Sequence, residues 1–361
     1  MLTIKSPETY INEFDIVRGA GKYISAYGKN AYIIAGKTAW EKTEEKLSES
    51  LKEWHIEHKL QIMEGYPTYQ KVEMYASAAY QFQADVVLGI GGGKACDVAK
   101  AVGNFRNIPV VTIPTVAATC ACWAARSVLY TEEGNFDFIQ WNRFSPKLIL
   151  ADTRILLEAP KRYLAAGIMD TLAKWYEFEP LVAKNQEDVV LRQDVAISNL
   201  AFQILDELGA KVRNNTATDE EGKQVIDAIL FLAGATGSFA NGNAYRGLAH
   251  PYYFVSTRIP ESRYLLHGEK VAFGLLVQFI LAKKEEGFIE GYLKKLTEYE
   301  ICGSPLEWHT EDVNKTIHIM AELLLTEWPV VREKSFVHSA EEAEQAMQKA
   351  CELLKKIFQK T

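Results

Sequence analysis

Long apolar runs, clustered charge and paired cysteines are all scarce in this 361-residue sequence. Among its longest apolar stretches is Phe273 to Ala282, interrupted by Gln278 and closed by Lys283 and Lys284. That falls far short of the roughly 20 residues needed to span a bilayer. The first residues, Met-Leu-Thr-Ile-Lys-Ser-Pro-Glu, lack a charged stretch leading into an apolar one, so no signal peptide is expected. Acidic side chains number 47 against 40 basic ones, for a net charge of -7, and like charges never gather into a long run. Nucleic acids and anionic membranes select for clustered Lys and Arg, so neither is an expected partner. The five cysteines, Cys96, Cys120, Cys122, Cys302 and Cys351, are odd in number. Their one close pair is spaced too tightly for a zinc knuckle or a Cys-x-x-Cys redox motif. They read as reduced thiols of a cytoplasmic protein. Internal repeats and low-complexity linkers are missing too. What remains is a soluble, mildly acidic chain of two or three domains whose default partner is a small molecule.

The first 155 or so residues alternate short β-rich runs with helix-like segments. Ala31 to Ala35, Asp85 to Ile90, Val110 to Ile113 and Leu148 to Leu150 are apolar runs of strand length. Amphipathic segments such as Ala39 to Trp54 separate them, which predicts a mostly parallel sheet covered on both faces. Ser127 to Trp141 alternates about a Glu-Glu-Gly-Asn turn and reads as a β-hairpin, placed to act as a flap. Beyond Thr153 helical periods take over at Leu164 to Lys184, Val189 to Leu208, Gly222 to Ala240, Val271 to Glu286 and Ala340 to Lys360. The expected organisation is an α/β dinucleotide-binding domain over residues 1–158 and an all-α domain over 159–361, with a cleft at the junction.

Gly89-Ile90-Gly91-Gly92-Gly93-Lys94 follows a strand-like run and opens a helix-like one from Ala95 to Asn104. Glycines there let backbone N–H groups approach a pyrophosphate, whose charge the helix N-terminus favours. A Walker A loop is excluded, because Leu88 and Ala95 stand where glycine and Ser/Thr are needed. The standard Rossmann fingerprint matches only in part, since Lys94 takes the place of its third glycine. A tight structural turn would explain one or two of these glycines. In the helical half, His250 and His267 lie 17 residues apart and Asp170 sits in an apolar helical stretch. A buried acid is costly unless paired or bound to a cation. One carboxylate and two imidazoles form a candidate divalent-metal site; a capping aspartate with two core histidines is the alternative. His55, His58, His309, His318 and His338 lie in polar surroundings and read as surface positions.

From about residue 10 to 300 the chain resembles the glycerol-dehydrogenase-like branch of the metal-dependent, iron-containing alcohol dehydrogenase superfamily, which also includes dehydroquinate synthases. The resemblance rests on GIGGGKACDVAKAV (89–102), VTIPTVAATC (111–120), SVLYTEEG (127–134), LAAGIMDTLAKWYE (164–177) and HGEKVAFG (267–274), in that order. It implies that Asp170, His250 and His267 ligate a divalent metal. Iron-binding members carry a further histidine one turn after the aspartate; Lys174 stands there, so zinc is expected rather than iron. The resemblance implies NAD(P) as cofactor, with Gly91, Gly92, Gly93 and Lys94 at the pyrophosphate. Thr115, Ala118, Ala124, Arg126 and Tyr130 then surround the nicotinamide side. NAD-specific relatives hold the adenosine ribose with an acidic residue where Gly36 stands here, followed by Lys37 and Thr38. That exchange would tolerate a 2′-phosphate, so NADP(H) is an expected cofactor; the alternative is that Gly36 only makes a turn. The family also implies a homo-oligomer.

Glycerol dehydrogenases carry a polyol-binding aspartate in a Thr-Asp-Ala-Pro segment, whereas this chain reads Thr119-Cys120-Ala121-Cys122-Trp123. With Arg126 gained nearby, the segment is similar to relatives that act on 2-hydroxy acids and 2-oxo acids. Such a pair is the expected substrate, and glycerol or a diol is the alternative. A second family histidine is here Tyr253, a substrate-side position. Cys120 and Cys122 have no paired base and read as small residues lining the pocket. Two further readings are a dehydroquinate-synthase-like lyase and a catalytically silent binding protein.

Overall fold

The structure is a computed structural model that describes residues 3–182, 187–238, 247–333 and 337–358. Its strands are β1 (Thr9–Glu13), β2 (Asn30–Ala35), β3 (Glu57–Ile62), β4 (Val86–Gly91), β5 (Val110–Pro114), β6 (Arg126–Tyr130), β7 (Phe136–Trp141) and β8 (Leu148–Asp152). Six of them form one all-parallel sheet in the order β1-β8-β5-β4-β2-β3. The apolar runs supply its centre, because a strand covered on both faces must be apolar at every position. In β2, Ile33 packs with Leu47, Leu51 and Leu88 on one face, while Ile34 packs with Val72, Val98 and Val102 on the other. The covering helices are α1 (Ala20–Ile24), α2 (Lys37–Glu53), α3 (Tyr69–Gln81) and α4 (Gly93–Arg106), and α5 (Thr153–Glu158) leads out of the sheet. β6 and β7 pair antiparallel as the hairpin expected from the sequence.

The rest is helical among the described residues: α6 (Lys161–Val182), α7 (Val189–Arg213), α8 (Asp219–Asp227), α9 (Ala233–Ala235), α10 (Ala249–Ser256), α11 (His267–Leu281), α12 (Glu286–Glu298), α13 (Val313–Glu327), α14 (Pro329–Glu333) and α15 (Ala340–Phe358), with short 3-10 turns between some of them. The fold class expected from the sequence is therefore the one observed. The single helix expected over Gly222 to Ala240 is divided, with a π-helical turn at Ala228–Leu232 between α8 and α9; residues 239 and 240 lie outside the described residues. Likewise 183, 184, 359 and 360, assigned to helix ends from the sequence, lie outside them. Just before the π turn, Asp227 Oδ1 accepts hydrogen bonds from Tyr10 Oη (2.7 Å) and Asn12 Nδ2 (2.8 Å) of β1. Within the turn, Phe231 packs against the rings of Tyr10 and Trp123, so the helical half is tied to the sheet edge.

Helix α11 meets α6 closely. A Cβ on Gly268 would lie 1.8 Å from the Ala166 carbonyl oxygen, so only glycine permits the approach. This contact brings the first turn of α11 beside the second turn of α6, one turn before Asp170.

Candidate active site

In the sheet order, the chain leaves β2 toward β3 and returns to place β4 on β2's other side. Such a reversal opens a crevice at the carboxyl ends of the two strands, the usual ligand position in an open parallel sheet. Gly36, at the end of β2, donates its N–H to the Ile90 carbonyl of β4 (3.1 Å), so both strand ends meet the same crevice. Gly91 has φ +143°, a conformation closed to side-chain-bearing residues, and it turns the chain from β4 into the N-terminus of α4. The free N–H groups of that helix start then face the crevice.

One cavity of about 990 Å³ runs from this crevice to the helical half. Its size is ample for a dinucleotide-class ligand with a small substrate. Gly36, Lys37, Thr38, Gly91, Gly92, Gly93, Lys94, Thr115, Ala118, Cys120, Ala124, Arg126, Tyr130, Asp170, His250, Tyr253 and His267 all line it. These residues expected from the sequence are thus brought to one place. Of the two cysteines expected to line the pocket, Cys120 does so, whereas Cys122 packs into the core behind the wall, where burial pushes its thiol well above its ordinary value, against a nucleophilic role.

At the helical end, His250 Nε2 and His267 Nε2 each lie 3.1 Å from Asp170 Oδ1. Asp170 comes from α6, His250 from α10 and His267 from the start of α11, and their ligand atoms fall within 4.8 Å of one another. On the far side of its ring, His250 Nδ1 donates to Glu177 Oε2 (2.5 Å), while Glu177 Oε1 accepts the His250 backbone N–H (3.2 Å). That bond directs Nε2 toward the cavity. Burial alone would raise the Asp170 carboxyl, yet Lys174 and the two imidazoles hold it well below the usual carboxylate range. Burial disfavours a charged His250, but Glu177 and Asp170 outweigh it and lift this imidazole up to about 9. For His267 burial wins, and its basicity falls despite Asp170. Two imidazole nitrogens and a carboxylate oxygen, buried and oriented from behind, fit a divalent cation with open positions on the cavity side.

The family model for iron-containing alcohol dehydrogenase matches residues 7–153. A glycerol dehydrogenase of Escherichia coli O6:H1 is 30% identical over 90% of this chain and 89% of its own length. The chain belongs to the iron-containing alcohol dehydrogenase family. Among other family relatives, hydroxycarboxylate dehydrogenase A of Escherichia coli K12 is 34% identical over 56% of this chain and 57% of its own. A probable glycerol dehydrogenase from Sinorhizobium meliloti 1021 shares the fold, with a TM-score of 0.86 at 22% identity over 99% of this chain and all of that one.

Lys174, Glu177 and Lys270, at or behind the cavity wall of this alcohol dehydrogenase fold, were not assigned site roles from sequence, and the structure adds a contact between two residues that were, Tyr130 and Tyr253. Lys174 and Glu177 follow Asp170 at i+4 and i+7, so a helical wheel through Asp170 contains both. Tyr130 and Tyr253 share a hydrogen bond between hydroxyls (2.5 Å), which joins the hairpin to α10, and the Tyr253 ring lies 4.1 Å from that of His267. Lys270 lines the cavity, nearly fully buried, with its ammonium on Ser262 Oγ (3.1 Å). The five other histidines are exposed, as their sequence surroundings imply.

Proposed function

We propose that the protein catalyses reversible hydride exchange between a nicotinamide dinucleotide and the carbinol carbon of a small hydroxy compound, acting as a metal-dependent dehydrogenase. The supporting observation is the convergence of the glycine cradle and the Asp170, His250 and His267 cluster on one cavity. When bound, the dinucleotide would carry the hydride and a divalent cation would draw electron density from the substrate oxygen. The chain's own part is positioning. Gly92, Gly93 and Lys94 hold the pyrophosphate at the start of α4. Thr115, Ala118, Ala124 and Tyr130 frame the nicotinamide. Asp170, His250 and His267 hold the cation, with Glu177 keeping the Nδ1 proton of His250. The Tyr130–Tyr253 pair closes the hairpin over the site and excludes water from that side. At the adenosine end, Lys37 and Thr38 replace a carboxylate, and Lys42 and Lys46 line the same cavity, which supports use of NADP(H). Zinc is the proposed metal and a homo-oligomer the proposed state.

Glycerol and vicinal diols are the first substrates to expect, since several full-length relatives are glycerol dehydrogenases. The second reading, a 2-hydroxy acid and its 2-oxo acid, is favoured by Cys120 in the cavity wall beside the cationic Arg126 and Lys174. The test is turnover of glycerol, 1,2-propanediol and a series of 2-oxo acids with NAD(H) and NADP(H), with and without added zinc. Net change in reduced nicotinamide with any of them supports a dehydrogenase over a lyase that recycles its cofactor, and no turnover at all would sink the proposal.

A further inference from the structure

The two oxygens of the Asp170 carboxylate have different partners. Oδ1 lies 3.1 Å from both His250 Nε2 and His267 Nε2, whereas Oδ2 accepts a hydrogen bond from the Lys174 ammonium at 3.3 Å. Lys174 stands one helical turn beyond Asp170 on α6, lines the same cavity and is 6% exposed. Asp170 is its one ion-pair partner among the described residues, and both members are buried. Taking the ammonium away from Asp170 would leave a buried charge without compensation, which is costly. The two residues come from successive turns of one helix, so the backbone sets their approach. Around them the helix is apolar, with Met169, Leu172 and Ala173 all buried. The next carboxylate along α6, Glu177, is engaged through both oxygens with His250.

A carboxylate offers a cation one oxygen or two. With Oδ2 on the ammonium, Asp170 offers Oδ1, the atom that already faces both imidazole nitrogens. The ammonium repels a cation held by the other oxygen of the same carboxylate, and burial keeps that repulsion from being screened. Glu177 and Lys174 therefore act in opposite senses from one helix. Negative charge behind His250 strengthens that imidazole as a donor, while positive charge behind Asp170 weakens the carboxylate. We propose that Lys174 is a positioning residue that limits Asp170 to a one-oxygen contact with the divalent cation and lowers the site's affinity for it. The cation is thereby exchangeable, and the coordination position that Oδ2 would fill stays open on the cavity side. This inference rests on the reading of Asp170, His250 and His267 as a metal site.

The experiment uses the full chain and compares the wild type with Lys174→Met, Lys174→Gln and Lys174→Arg at one fixed pH, the fold of each being checked by circular dichroism. Zinc affinity, measured against a chromophoric chelator, is one readout. The other is the visible absorption of the cobalt(II)-loaded protein, which follows the number and geometry of the ligands. Lys174→Met, unbranched and uncharged, is expected to bind zinc about tenfold or more tightly than wild type, with a shifted cobalt spectrum as Oδ2 joins the cation. Lys174→Gln removes the charge but keeps a donor for Oδ2, so its affinity rises and its spectrum stays that of the wild type. Lys174→Arg keeps both and matches the wild type. Disturbed packing would lower affinity, so a gain marks the loss of repulsion; if Lys174→Met does not fold, Lys174→Gln carries the affinity test. Zinc affinity within about twofold of wild type, or lower, in the charge-removing variants overturns the role of Lys174 and leaves the metal site standing. An unchanged cobalt spectrum in Lys174→Met also overturns it. A wild type that binds neither ion overturns both.

Discussion

Glu177 touches neither the cavity's glycines nor Asp170, yet it decides where His250 points, because its carboxylate accepts a hydrogen bond from Nδ1–H at 2.5 Å. Glu177→Gln keeps the shape and removes the charge. Metal affinity is expected to fall by about ten- to a hundredfold, read by competition with a chromophoric chelator; unchanged affinity would remove Glu177 from the account. Lys270 offers a pH test. Burial, with Arg263 and Lys94 adding repulsion, lowers its ammonium from 10.5 to about 7. The folded-state value lies below the unfolded one, so unfolding takes up a proton between those limits. The resulting destabilisation is complete below about pH 7 and fades as pH approaches 10.5. Lys270→Met removes it, so the Tm advantage of the variant over wild type is expected to be largest at pH 7 and to shrink on raising the pH. A difference independent of pH would contradict this.

Among the elements, α11 is placed by a single close contact. Gly268→Ala would push a methyl into the Ala166 carbonyl, moving His267 away from Asp170. A Tm drop of at least about 5 °C, together with lost zinc binding, is the expected outcome. At the end of β2, Gly36→Asp places a carboxylate where a 2′-phosphate would lie. The kcat/KM for NADP(H) is expected to fall by about tenfold or more relative to NAD(H); no change in that ratio would mean that Gly36 only makes a turn. Legibility differed between elements for physical reasons. Strands β2, β4, β5 and β8 are interior and apolar throughout, so their sequences announce them. β1 and β3 are edge strands, TYINE and EHKLQI, whose exposed polar residues blunt the edge and hide the strand pattern. The π turn at Ala228–Leu232 was not legible, because AILFL is apolar at every position and carries no period that could slip.

Across the whole molecule, the sheet half and the helical half share one cavity, joined by Tyr10 and Asn12 to Asp227 and by Tyr130 to Tyr253. The glycine cradle was legible from its residues, since a phosphate-binding turn is local. The Asp170, His250 and His267 cluster was legible chiefly through family resemblance, because its members come from three helices and their spacing does not encode a meeting point. Glu177 and Lys174 lay within reach as i+7 and i+4 neighbours once Asp170 was known. The central claim is that a bound divalent cation and a nicotinamide act together in this cavity. Its most direct measurement is reduced-nicotinamide absorbance during turnover, before chelation, after chelation and after zinc is restored, for wild type and Asp170→Ala. The account predicts activity that chelation abolishes and zinc restores in the wild type, with none in Asp170→Ala. Undiminished turnover after chelation, or in Asp170→Ala, would contradict it.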